Sequence, residues 1–416
     1  MRRTVLTSAN KTLARLYPGD AVGRQPVHTF IGGADAFRSD SAQHAGRQAL
    51  ELLEACASTA QALAKILDLP AGDPGLAETV RARVVDKLRR EPIEDFRLDF
   101  EDGYGSRPGA EEDGHAESAA IEIAAGMQGG TLPPFIGIRI KPMSRELHAR
   151  SLRTLDIFVT TLVKTARRLP LNFAVTATKV MTPAHVSAVA QKCAALERRL
   201  KLKQHAIQLE LMIETPQSIL APDGRVALPA LVKAGRGRVR GAHFGVYDYT
   251  ALCGITAAWQ HPRHLACDVA REMMRMSLAQ TGVMLSDGSS NILPVHPHVQ
   301  QAWKRHFDDV THSLVNGFHQ GWDLHPGHLP TRYAAIYAFY LSTRAAATAR
   351  LSNFFTKAAR AGAAFDDAAT GQALVNYFNR AISSGAITLT EATETGLSAE
   401  EFDGRSFKSI LAARQM

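Results

Sequence analysis

Ile207-Gln-Leu-Glu-Leu-Met-Ile-Glu-Thr-Pro216 is the stretch on which the fold turns. Leu209, Leu211 and Ile213 fall on one side of a period-two alternation and Glu210, Met212 and Glu214 on the other. Thr-Pro closes the run and helical periodicity follows, so it reads as a buried strand feeding a helix. A carboxylate on the last strand residue packs poorly but is well placed for chemistry. In a parallel α/β barrel the carboxyl ends of the strands form the active-site face. Glu214 is therefore the first candidate site residue. The lesser alternative for Glu214 taken alone is a carboxylate resting on the positive end of the next helix.

Further strands are read upstream at Val27 to Gly33, Glu94 to Phe100, Pro134 to Lys141 and Asn172 to Val180. Downstream they are read at Arg238 to Val246, Val283 to Asp287 and Gly317 to Leu324. Helical periodicity fills the intervals: Ser41 to Leu67, Pro74 to Arg90, Glu111 to Met127, Arg145 to Arg168, Pro183 to Leu200, Gln217 to Ala234, Arg263 to Gln280 and His298 to Asn316. Alternation of eight strands with helices predicts an α/β fold, a (β/α)8 barrel. A doubly wound open sheet is the alternative, and no GxGxxG follows the first strand to support it. Residues 1–26 form a leader, 27–329 the barrel, and 330–416 an alanine-rich helical extension broken at Ser383-Ser-Gly385.

With 416 residues, 45% of them hydrophobic, the chain can bury a large core. It has no run of eighteen apolar residues, so no membrane span is expected. Arg2, Arg3, Lys11 and Arg15 precede the first acid, Asp20, without the apolar segment of a secretory signal. A basic helix accounts for them, a transit peptide being the other reading. Four cysteines (Cys56, Cys193, Cys253 and Cys267) lack paired spacing, which fits buried thiols in a reduced cytoplasmic protein. The net charge of +8 is spread over helix faces and would favour a small anionic substrate. Nucleic acid is not expected, because only 7% of residues are aromatic and no basic stripe interleaves with them.

Polar residues collect at the strand ends: Asp99, Glu101 and Asp102; Arg139 and Lys141; Lys179; Glu214 and Thr215; Asp248. Glu214 and Asp248 come from neighbouring strands, about 4.8 Å apart, and can share one divalent cation. Arg139 offers a bidentate fork for a carboxylate and charge for a developing enolate. Lys141 has two readings, a substrate contact or a salt bridge to Glu101 or Glu210, and the same salt bridge is the lesser alternative for Arg139. Glu210, about 13 Å below Glu214, reads as a paired interior carboxylate. Asp99, Glu101 and Asp102 do not match an EF-hand; they either orient Arg139 and the metal's waters or cap the following turn. Sixteen histidines include His296, His298, His325 and His328, but no HExxH occurs and turn positions beside prolines explain them. No GxSxG elbow supports a serine hydrolase.

At these residues the chain resembles the citrate lyase beta-subunit-like family, with the malyl-CoA lyases and the wider class II 2-oxo-acid aldolases. Asp99-Phe-Glu-Asp-Gly is similar to that family's D-L-E-D segment, Gly137-Ile-Arg-Ile to V-R-x-N and Lys179-Val to P-K-V-E. Leu211-Met-Ile-Glu-Thr-Pro216 is similar to M-I-E-T-P, and Phe244-Gly-Val-Tyr-Asp248 to L-G-x-x-D-L. Gly317-Phe-His-Gln-Gly-Trp-Asp-Leu-His-Pro326 resembles G-F-x-G-x-x-x-I-H-P. Thr178 and Met181 depart from the P-K-V-E pattern, Lys141 replaces the asparagine of V-R-x-N, and Tyr247 precedes Asp248 where smaller or polar residues are usual.

The resemblance implies a TIM-barrel enzyme that makes or breaks a carbon–carbon bond through a metal-stabilised enolate of a small 2-oxo acid or an acyl-CoA. Glu214 and Asp248 become ligands of Mg²⁺, with Mn²⁺ as the alternative ion. Arg139 becomes the substrate clamp and enolate stabiliser, Glu101 and Asp102 its outer partners, and Lys141, Lys179 and Thr215 further substrate contacts. Phe402-Asp-Gly-Arg405 resembles the family's L-D-G-K segment, often lent by a neighbouring subunit, which makes Asp403 an acid/base candidate. The bland reading leaves Asp403 in solvent. Apolar faces on the extension's helices add the expectation of a homo-oligomer. The competing functions are phosphoryl transfer on a phosphoenolpyruvate-type substrate, a Schiff-base aldolase on Lys141 or Lys179, and a non-catalytic barrel subunit.

Overall fold

Each period-two stretch forms a strand: β1 (His28–Gly33), β2 (Asp95–Asp99), β3 (Phe135–Ile140), β4 (Phe173–Ala177), β5 (Gln208–Ile213), β6 (Val239–Phe244), β7 (Met284–Ser286) and β8 (Gly321–Asp323). The computed structural model describes residues 2–21, 23–70, 75–361, 368–402 and 406–414. The strands are parallel, pair in sequence order, and return from β1 to β8. Residues just beyond the two short strands close the barrel. Asp287 N–H donates to Gln320 O at 2.8 Å and Trp322 N–H to Gly288 O at 3.1 Å. The expected (β/α)8 barrel is the fold.

Helix α1 (Arg2–Leu16) precedes the barrel. The crossover from β1 to β2 holds α2 (Ser41–Cys56), α3 (Ala60–Leu67) and α4 (Leu76–Arg90). Next come α5 (Gly109–Gly129), α6 (His148–Ala166) and α7 (Pro183–Arg199), then α8 (Pro216–Ile219) and α9 (Leu228–Ala234) after β5. α10 (Val246–Leu252) and α11 (Leu265–Leu278) follow β6, and α12 (Val299–Val315) follows β7. The chain ends with α13 (Leu329–Ala361), α14 (Ala368–Ser383), α15 (Leu389–Thr393), α16 (Ala399–Phe402) and α17 (Phe407–Arg414).

Two helices read as continuous are divided. Thr59 interrupts the first and caps α3, its side chain accepting from Ala62 N–H. The helix expected over Gln217 to Ala234 breaks at a turn in which Gly224 has φ 78° and Leu220 pairs with Val226.

The alternation in β5 sorts as its periodicity requires. Leu209, Leu211 and Ile213 are fully buried in the apolar layer between strands and helices. Glu210 is the paired interior carboxylate. Arg97 Nη2 lies 2.9 Å from Glu210 Oε2 and 2.6 Å from Asp95 Oδ2, and Arg240 Nε donates to Glu210 Oε1 at 2.9 Å. Gly137 leaves room for Arg97, since a Cβ there would meet Arg97 Nη1 at 2.0 Å. Pairing offsets the desolvation that buried charges cost.

The first turns of α13 are buried between α12 and α4. Beyond them the extension meets loops at the amino-terminal ends of the strands. Arg380 Nη1 is 2.7 Å from His319 Nε2, and Asn376 Nδ2 donates to Asp20 Oδ2 at 3.0 Å. Among the described residues, no helix is long and apolar enough to cross a membrane.

Candidate active site

Five strand ends, β2 to β6, meet at the carboxyl-terminal mouth. β2 runs into a tight turn held by Asp99, whose Oδ1 accepts from Glu101 N–H at 3.0 Å and Oδ2 from Gly103 N–H at 2.7 Å. That turn presents Glu101 and Asp102 to Arg139 at the end of β3. Arg139 Nη2 lies 2.7 Å from Glu101 Oε2, 3.4 Å from Asp102 Oδ2 and 3.9 Å from Glu214 Oε2; Nη1 is 3.5 Å from Asp99 Oδ1. Its Nε is buried and, among the described residues, without a hydrogen-bond partner.

Lys179, just after β4, ties the remaining groups together. Its backbone N–H donates to Glu214 Oε1 at 2.6 Å. Its Nζ donates to Asp102 Oδ1 and Oδ2 at 2.9 and 2.8 Å, also to Glu101, and lies 3.4 Å from Asp248 Oδ2 in the first turn of α10. Gly245 makes room for Glu214, because a Cβ there would stand 2.4 Å from Glu214 Cβ.

The rim thus holds Asp99, Glu101, Asp102, Glu214 and Asp248 against two cations, Arg139 and Lys179. Glu214 shows the consequence. Burial pushes its carboxyl up to about 7, and the charges of Asp248 and Glu101 add to what Arg139 and Lys179 only partly offset. An oxygen-rich, under-neutralised cluster suits a hard divalent cation such as Mg²⁺ or Mn²⁺. The residues therefore fit the metal that the family resemblance implies, and Glu214 and Asp248 would hold it.

The other candidates lie behind this rim or away from it. Lys141 Nζ turns from the mouth to Glu112 Oε2 at 2.9 Å and donates to Phe100 O, so the bridges considered to Glu101 or Glu210 are not formed. Thr215 caps α8, accepting from Ser218 N–H at 3.2 Å while its hydroxyl donates to Val180 O at 3.1 Å. Asp403 lies outside the described residues.

A second set of ligand-type atoms lies outside the barrel wall, where His306, Asp323 and His328 come within 4.8 Å of one another. These atoms already have protein partners. Asp323 pairs with Arg332 at 2.9 Å, His28 at 2.9 Å and His306 at 3.0 Å. His306 Nδ1 is 2.7 Å from Thr331 Oγ1, and His328 Nε2 is 3.0 Å from Ile292 O. Burial also pushes the His328 imidazole down to about 3. The set reads as an ion-paired strut between β8, α12 and α13. His325 is likewise a turn residue, its Nδ1 accepting from Gly327 N–H at 3.0 Å.

Trp322 and His243 escaped the sequence reading as site residues. The Trp322 ring stands 5.8 Å beneath the Arg139 guanidinium, and its Nε1–H donates to His243 Nδ1 at 2.9 Å. His243 Nε2 is in turn 3.3 Å from Glu210 Oε2, so a polar column runs from rim to barrel floor. The inward run Asp95-x-Arg97-x-Asp99 was the available signal of such an interior.

The closed parallel sheet places the molecule among the (β/α)8 barrels, with a fold similar to that of a solved citrate lyase. The chain belongs to the family described as a domain of unknown function, DUF6986, whose model matches residues 6–410. Among solved structures, a citrate lyase from Burkholderia xenovorans LB400 is similar at 16% identity and a TM-score of 0.59, over 92% of this chain and 100% of its own. A Haloferax volcanii malate synthase shares 14% identity at a TM-score of 0.48, over 93% of this chain and 99% of its own. Protein CitE from Mycobacterium tuberculosis, solved with magnesium and acetate, shares 14% identity at a TM-score of 0.40, over 75% of this chain and 90% of its own. Comparison with curated proteins gives no match.

Proposed function

We propose that the chain is a divalent-metal-dependent carbon–carbon lyase or aldolase acting on a small anionic 2-oxo acid, free or condensed with an acyl-CoA. The observation that carries this reading is the surplus of carboxylates over cations around buried Glu214. Mg²⁺ or Mn²⁺ on Glu214 and Asp248 would supply Lewis-acid polarisation of the substrate carbonyl.

The chain's own residues do the rest. Arg139, fixed by Glu101 and Asp102 and floored by Trp322, holds the negative charge that develops on the substrate oxygen. Its Nε–H, unpartnered among the described residues, is available as a donor. Asp99 keeps the turn that carries both outer carboxylates, and Lys141 and Thr215 brace the mouth from behind. A Schiff base on Lys179 finds no support. Burial alone would lower its ammonium, yet Glu101 and Asp102 raise it, the opposite of what a nucleophilic amine needs.

The test is a screen of 2-oxo acids, with and without acyl-CoA thioesters, in Mg²⁺ and again in EDTA. Bond formation or cleavage that disappears with the chelator is expected. Turnover unaffected by EDTA, or a lysine adduct trapped by borohydride, would overturn the metal reading.

A further inference from the structure

Lys179 stands where its ammonium and a divalent cation would contend for Asp248 Oδ2. Nζ lies 2.9 and 2.8 Å from the two Asp102 oxygens and 3.4 Å from Asp248 Oδ2, and it also pairs with Glu101. Its backbone N–H meets Glu214 Oε1 at 2.6 Å. Both proposed metal ligands are therefore partners of this one residue. The backbone here is left-handed, φ 46°, a conformation that a lysine adopts at a steric cost. That turn aims the N–H at Glu214 while the side chain crosses to Glu101, Asp102 and Asp248.

We infer that Lys179 is an exchangeable counter-ion, which neutralises the rim in the metal-free chain and yields Asp248 to an arriving divalent cation. Its freed ammonium then receives the carboxylate of the 2-oxo acid. This rests on the metal reading above. Two cations a few ångströms apart repel strongly where water is scarce, so Nζ gives up the shared oxygen when the metal binds. The long lysine stem allows the shift while the backbone bond to Glu214 stays in place. Charge sets the order of binding. Five carboxylates against two cations repel an anionic acid until the metal is in place, so metal and acid bind with positive coupling through Lys179.

Calorimetric titration of Mn²⁺ into the full chain, Lys179→Met and Lys179→Gly tests this. Pyruvate is then titrated with and without Mn²⁺. Glycine suits the left-handed backbone, so Lys179→Gly keeps the cradle for Glu214 should the methionine variant misfold. Both variants are expected to bind Mn²⁺ about tenfold more tightly and to lose most of the Mn²⁺-induced gain in pyruvate affinity. The Mn²⁺ effect should persist in about 0.5 M NaCl, where long-range charge effects are screened and direct contacts are not. Unchanged or weaker Mn²⁺ binding by the variants, with binding by the wild-type chain intact, overturns the exchange and leaves the metal reading standing. No Mn²⁺ binding by any of the three overturns both.

Discussion

Glu214 is proposed as a metal ligand and Arg139 as the substrate clamp, and at the scale of single residues each has a substitution that separates its role from folding. Glu214→Gln keeps an acceptor for Lys179 N–H but removes the charge a metal needs. It is expected to abolish Mn²⁺ binding in calorimetry and turnover with it, while the circular dichroism spectrum stays that of the parent. Retained tight binding would take Glu214 out of the ligand set. Arg139 contacts carboxylates through both Nη atoms and lies over Trp322. Lysine reproduces the charge but neither the fork nor the planar stacking surface. Arg139→Lys should therefore cost kcat/KM a factor of about 10²–10³, as loss of a preorganised donor does. Near-normal kcat/KM in that variant would remove the clamp.

Elements deliver these residues, and the joints between elements are the places to perturb them. Gly245 links β6 to α10 with Glu214 pressed against its Cα. Gly245→Ala is expected to cost about 1–3 kcal/mol of stability through overpacking and to weaken Mn²⁺ binding at the same time. Denaturant titration and calorimetry on that one variant check both.

Another joint ties the segment before β1 to the end of α4. Arg24 pairs with Glu91 at 2.7 Å and Glu94 at 2.6 Å. Burial alone would raise the Glu91 carboxyl, but Arg24 and Lys87 hold it down to about 2. A depressed folded-state value means that the stabilisation is present above the unfolded value, near 4.5, and is lost as pH falls towards 2. Glu91→Gln should thus lower stability by on the order of 1–2 kcal/mol at neutral pH, after allowing for partial exposure. The difference from wild type should shrink steadily in urea melts taken below about pH 4.5.

Asp403, the proposed acid/base group, belongs to the scale of the whole molecule. Its described neighbours are docked on the extension: Phe402 is buried beside Phe378, and Phe407 packs against Phe355. That extension meets His319 and Asp20 at the amino-terminal ends of the strands, opposite the acidic mouth. A role for Asp403 is therefore proposed at a neighbouring chain's mouth, within a homo-oligomer. Asp403→Asn should lower turnover while leaving Mn²⁺ affinity intact. Mixed oligomers of Asp403→Asn and Glu214→Gln chains should regain activity that neither has alone. Absence of any regain after verified subunit exchange would rule out a shared site.

The eight strands could be read from one chain because each rests on local chemistry. Alternation such as Leu209, Leu211 and Ile213 against Glu210, Met212 and Glu214 has only one way to bury its apolar side. The gathering of Glu214, Asp248 and Arg139 at one mouth followed from that topology, since parallel strands end on the same face. Pairing within the mouth did not follow. Lys141 is held by Glu112 and Lys179 by Glu101 and Asp102, across separations in the chain that the side-by-side packing of β2, β3, β4 and α5 removes. Nor did the strand pattern tell that His243 would support Trp322 under Arg139, or that Thr59 would split the first long helix. A strand's period states which way a side chain points. What it meets there depends on which of many similar charges packing brings within about 3 Å.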